Sequence, residues 1–132
     1  MDDIKVGENC IVSYLVDAKS AMIQWTGMPS SDEFRIGCNT ALDVMQKNGV
    51  SKVLVDNSSA TLFTVKDQQW LNNEWLPRAE KAGYRYSATV LGDSDAFVKF
   101  AVNNIASKRD HTKFESKFFK TVDEAKEWLR TL

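Results

Sequence analysis

The apolar positions of this chain change rhythm several times, and each change marks an element. CIVSYLVD at 10–17 and SAMIQWT at 20–26 are β-rich runs with only Ala18 and Lys19 between them, which predicts a two-stranded antiparallel hairpin. Met28, Pro29, Ser30 and Ser31 break the extended run, and Ser30 with Glu33 offers a capping box for a helix. Phe34, Cys38, Ala41, Leu42 and Met45 recur at helical spacing, and Asn48-Gly49 supplies the stop. Val53-Leu54-Val55, within a strand over 52–56, is continuous rather than alternating, the pattern of a strand covered on both faces.

A second helix is predicted over 65–82, with Leu71, Trp75, Ala79 and Ala82 on one stripe and Gly83 as its stop. Pro77 lacks an amide donor and clashes with the preceding turn, which predicts a kink or break near Leu76. A strand follows at 84–91, then a helix from Ala96 to Ser107 capped by Ser94 or Asp95, then a strand at 113–120. Thr121 with Glu124 forms another capping box, opening a last helix that carries Ala125, Trp128 and Leu129. The order is β-β-α-β-α-β-α-β-α: an α/β fold with a five-stranded, mostly parallel sheet, opened by an antiparallel hairpin and packed by four helices.

Composition narrows the function. With 132 residues, no linker and no repeat, residues 1–132 read as one domain able to fold without disulfide or metal. A net charge of -1 gives no field to recruit polyanions, so nucleic acid is not an expected partner. MDDIKVGENC lacks the basic and apolar regions of a secretory signal, and no apolar run approaches about 18 residues, so no integral membrane segment and a cytoplasmic location are expected. Cys10 and Cys38 read as separate buried thiols rather than a bridge or a metal site.

Candidate chemistry is sparse. No GxGxxG or GxxxxGK[ST] loop is present, and the single histidine, His111, lies in the polar connection SKRDHTK. The acidic pairs Asp32-Glu33 and Asp123-Glu124 stand at helix starts, where free amides and the macrodipole favour negative charge. Asp56 ends a central strand, as the phosphoacceptor of a response regulator does, but the acidic pair that would hold magnesium after a first strand is missing. These residues predict no enzyme, cofactor or metal site. The region that stands out is VLVDNSSATLFTVKDQQW: Asp56, Asn57, Ser58 and Ser59 read as a strand-ending turn, Thr64 as a helix cap or a phosphorylated hydroxyl, and Trp70 as packing under a loop, at an interface or in a cavity.

The order of elements, with MIQWTGMPSSDEFRIG, KVLVDNSSATLFTVKDQQWLNNEWLPRAEKAGYRYSATV and FKTVDEAKEWL, resembles the small bacterial STAS and SEC14-type proteins of the SpoIIAA-like superfamily, over almost the full length. The resemblance implies helices packed on a βα-wound sheet and a non-enzymatic regulatory or protein-interaction role. In the antagonist branch a strand like 53–56 leads to an Asp-Ser-Ser-Gly signature whose serine a kinase phosphorylates. Registered on Asp56, that signature falls on Thr64-Val65-Lys66-Asp67, and neither serine is present. The expected partner is a protein, with a possible homodimer, met through Asp56 to Thr64 and Trp70. The alternative is an apolar small-molecule or lipid ligand of SEC14-like type, suggested by Phe97, Phe100, Phe118 and Phe119, which core packing also explains.

Overall fold

A computed structural model describes residues 3–93 and 96–132, without the side chain of Phe97. The Ser94 or Asp95 cap and the role of Phe97 lie outside the described residues. Six strands form one sheet in chain order: β1 (Ile4–Gly7), β2 (Cys10–Leu15), β3 (Ser20–Gly27), β4 (Lys52–Ala60), β5 (Tyr86–Val90) and β6 (Glu115–Phe119). The first two pairings are antiparallel and the last three parallel. The sheet therefore has one strand more than the five expected. β1 is a short edge strand, bulged against β2 and largely exposed, so IKVG carries too little apolar alternation to announce itself.

The helical segments are α1 (Ser31–Lys47), α2 (Val65–Trp70), a π-helical turn (Leu71–Trp75), α3 (Leu76–Lys81), α4 (Ala96–Ser107) and α5 (Val122–Arg130). Each parallel strand lies beside the one before it, so crossovers of one hand carry α1, α2–α3 and α4 onto the same face. There they bury the larger core, which includes Trp25, Phe34, Met45, Trp75, Tyr84 and Val102. α5 returns across the opposite face, where Ala125 and Leu129 close on Met22, Leu54, Ala88 and Val90. Leu54 is wholly buried between the layers, as the unbroken Val53-Leu54-Val55 run requires.

Local details refine the expected elements. The first hairpin turns over four residues, 16–19, with Lys19 at φ 50°, rather than two. Ser30 caps α1 by accepting from the Glu33 amide at 3.1 Å, but Glu33 does not close the box. Its carboxylate instead accepts from the Asn9 amide at 2.6 Å, tying the β1–β2 turn to the helix start. The Thr121–Glu124 box is complete. At the predicted kink, the Leu76 amide reaches back five residues to the Leu71 carbonyl, giving a π turn immediately before Pro77. The extra residue absorbs the proline and lets Leu71, Trp75 and Leu76 all face the core.

Candidate functional site

β4 does not end at Asp56. Gln24 pairs with Asp56 and Thr26 with Ser59, so Asn57 and Ser58 together oppose Trp25 in a β-bulge, and the strand continues to Ala60. Asp56 Oδ1 holds the bulge by accepting from the Ser58 amide at 3.0 Å and the Ser58 hydroxyl at 2.6 Å. The reading of 56–59 as a strand-ending turn is thus corrected: the same Asp-to-amide bond is present, but inside a strand. Gly92, at φ 54°, approaches so closely that a Cβ there would lie 3.0 Å from Ser58 Cβ.

The bulge divides the sequence-picked residues. Ser58 and Ser59 face solvent, whereas Asn57 is 3% exposed and turns inward. Thr64 caps α2, its hydroxyl accepting from the Asp67 amide at 3.2 Å. Trp70 packs edge-on against Phe34, with ring centroids 6.2 Å apart, and carries the Arg35 guanidinium 5.2 Å from its own centroid. Asp56 and Ser58 are brought together, while Asn57, Thr64 and Trp70 each go elsewhere.

Asn57 leads to a feature that sequence reasoning missed. Between the sheet and α1, the π-helical turn and α4 lies a cavity of about 80 Å³. One wall is aromatic: Trp25 stacks on Phe34 at 5.1 Å, Phe63 meets both, and Trp75 lies edge-on to Tyr84 at 5.7 Å. The floor is polar, with Asn57 from β4, Ser87 and Thr89 from β5, and Ser116 from β6. Ser87 and Thr89 are only 4% and 6% exposed. The hydroxyls of Ser87, Thr89 and Ser116 join none of the side-chain hydrogen bonds found among the described residues.

The walls are held by specific bonds. Trp75 Nε1 donates to the Cys38 carbonyl at 2.9 Å, fixing the π turn against α1. Asn72 Nδ2 donates to the Ile105 carbonyl at 3.2 Å, and Asn104 Nδ2 to Gln68 Oε1 at 2.9 Å, so α4 is hydrogen-bonded across to the helices before it. Arg109, just past α4, also lines the cavity, and its Nη1 donates to the Tyr84 hydroxyl at 3.3 Å. Of the lining residues, Arg109 and Phe118 are among those that reach solvent.

Burial dominates the electrostatics. It pushes the Cys38 thiol well above its ordinary value, and Cys10 and Asp67 raise it further while Arg109 opposes them. Cys10 is pushed up to about 12 by burial, with Glu33 adding to the effect. Both thiols stay protonated and unreactive at neutral pH. No group of three or more potential metal ligands is found among the described residues.

One sequence signal could have located the cavity. In β5, YSATV sits between two strands yet alternates Ser87 and Thr89 with Ala88 and Val90. A central strand normally carries apolar residues on both faces. Hydroxyls on one of its buried faces mark a place where that face is not packed by hydrocarbon.

No protein-family profile matches this chain, and no curated protein does. Among solved structures, it is similar to an uncharacterized protein of the DUF3478 family with a SpoIIAA-like fold from Shewanella loihica PV-4. The two share 16% identity and a TM-score of 0.59, over 91% of each chain. The fold is SpoIIAA-like. In this SpoIIAA-like chain the cavity lies under α4 and runs along the parallel strands, from Val53, Ser87 and Ser116 near their amino-terminal ends to Asn57, Thr89 and Phe118 farther along. Among the described residues, no helix is long and apolar enough to cross a membrane.

Proposed function

We propose that this protein is a non-enzymatic binding module that takes a small ligand in the cavity between its sheet and α4. The observation that carries this reading is the pairing of an aromatic wall with the unengaged hydroxyls of Ser87, Thr89 and Ser116 on a sheet floor. Buried polar groups ordinarily find partners. An apolar cavity with a few convergent polar groups is the arrangement that orients a small molecule. The thiol in the wall, Cys38, is held protonated by burial and is a poor nucleophile, which supports binding rather than thiol chemistry. Titration of ¹⁵N-labelled protein with a panel of small acids, alcohols and amines tests the reading. Amide shifts centred on Thr89, Val102 and Ile105 are expected; a panel that shifts none of them overturns it.

A second, compatible reading is the regulatory contact with a protein partner, including a second copy of the chain. It is favoured by the outer side of the same region, where Phe100 is 72% exposed on α4 and Phe118 is 40% exposed on the edge strand β6. Ligand occupancy beneath α4 would then be felt at the contact surface. Light scattering at tens of micromolar, with Phe118→Ser as control, tests the homodimer. A monomer for both proteins removes that part.

A further inference from the structure

We infer that the cavity's ligand is a small monocarboxylate with a short apolar tail, its carboxylate held by Arg109 and the sheet hydroxyls and its tail set among the aromatic rings. This rests on the ligand-binding reading above and adds the chemical class. The guanidinium of Arg109 lies 5.7 Å from the centroid of Tyr84, and its Nη1 is committed to the Tyr84 hydroxyl. Its Nε is buried and donates to nothing among the described residues. Arginine cannot discard its charge, so a buried, unspent donor on it calls for an acceptor from outside the chain.

The surroundings restrict what that acceptor is. No salt bridge to Arg109 is found among the described residues. Cys38, the nearest thiol in the wall, stays neutral and offers no counter-charge. Asp67 is buried and acts on Cys38, but it is not part of the cavity wall and forms no salt bridge with Arg109 among the described residues. One cation therefore faces a wall whose other groups are uncharged: aromatic rings, aliphatic carbons, hydroxyls, the Cys38 thiol and the Asn57 carboxamide. A single carboxylate matches the flat donor fork and the single charge. A phosphate would bring a second charge with no partner.

Size excludes the larger acids. About 80 Å³ of accessible space, at roughly 10–15 Å³ per water, holds about five to eight waters, enough for a ligand of a handful of heavy atoms. A nucleotide, a sugar acid with many hydroxyls or a long-chain fatty acid does not fit. The tail has only rings and aliphatic carbons to meet beyond the floor, so it is apolar.

The test uses the intact protein and amide-shift titrations with acetate, propionate, butyrate, decanoate, 1-butanol and butylamine. Butyrate is expected to bind more tightly than butanol, and butylamine not at all. Affinity should rise about fourfold per methylene from acetate to butyrate, as expected for burying each group. Arg109→Gln should weaken butyrate by about tenfold or more, as expected for a lost charge-assisted bond, and leave butanol unchanged. If butanol and butyrate bind equally and Arg109→Gln affects neither, the carboxylate class is overturned while the cavity reading stands. Decanoate binding more tightly than butyrate overturns the size limit and points to lipid. If no compound shifts the cavity amides, both readings fall. Should Arg109→Gln not fold, the wild-type ranking of acid, alcohol and amine decides the class alone.

Discussion

Filling the cavity should stabilise the protein, and Ala41→Leu is the substitution that tests it. Ala41 is 2% exposed, lies in α1 and lines the cavity. Alanine and leucine have similar helix propensities, so the backbone is nearly indifferent to the change. A void of about 80 Å³, at roughly 24 cal/mol per Å³, corresponds to about 2 kcal/mol of packing that the fold forgoes. Three added carbons would contribute a similar amount, about 2.4 kcal/mol at ~0.8 per buried methylene, so the void sets the ceiling. The expected gain is about 1–2 kcal/mol, seen as a higher urea midpoint by tryptophan fluorescence and a Tm raised by about 4–8 °C. The same variant should lose ligand-induced amide shifts. A destabilisation of about 1 kcal/mol or more would be the signature of overpacking, and would refute the claim that open space exists there.

Other outcomes follow from the packing and caps. Leu129→Ala should cost about 3–5 kcal/mol by urea unfolding, because Leu129 is fully buried and its alanine neighbours Ala18, Ala88 and Ala125 cannot swing in to fill the gap; a cost below about 1 kcal/mol would mean that α5 does not seal that face. Thr64→Ala should cost about 1 kcal/mol by the same assay, with Thr64→Ser restoring most of it, since the hydroxyl caps α2. Alkaline pH should destabilise the fold through Cys10. The unfolded thiol ionises near its ordinary 9.0 whereas the folded one holds its proton to about 12, so stability is complete below pH 9 and is lost as pH rises above it. The slope is about 1.4 kcal/mol per pH unit. Cys10→Ala should flatten the pH dependence of the urea midpoint between pH 9 and 11 by that amount, and identical slopes in the two proteins would contradict the burial argument.

The fold was legible wherever one physical rule dominated. The run Val53-Leu54-Val55 announced a doubly covered strand, the 3.6-residue stripe of Phe34, Cys38, Ala41 and Met45 announced α1, and Thr121 with Glu124 announced α5. β1 escaped because an exposed edge strand needs little apolar alternation. The bulge at Asn57 and Ser58 escaped because it depends on register with β3, a non-local relation that Asp-Asn-Ser-Ser does not display. That single register shift decides the site: it sends Asn57 inward and Ser58 outward, so a hydroxyl cluster contiguous in sequence is split between two environments. The cavity residues Phe63, Ser87, Thr89, Arg109 and Ser116 come from four separate stretches and meet only through the parallel crossovers. Polar residues on a central strand were the one local trace of them.

The central claim is that the space beneath α4 is a ligand site and not a packing remainder. The most direct measurement is a crystal structure of the wild-type protein grown with saturating butyrate. The account predicts a carboxylate within hydrogen-bond distance of Arg109 and at least one of Ser87, Thr89 and Ser116, with its carbon chain against the ring wall formed by Trp25 and Phe34. Only ordered water bridging those hydroxyls in the same crystals, with amide shifts equally silent in solution, would contradict it.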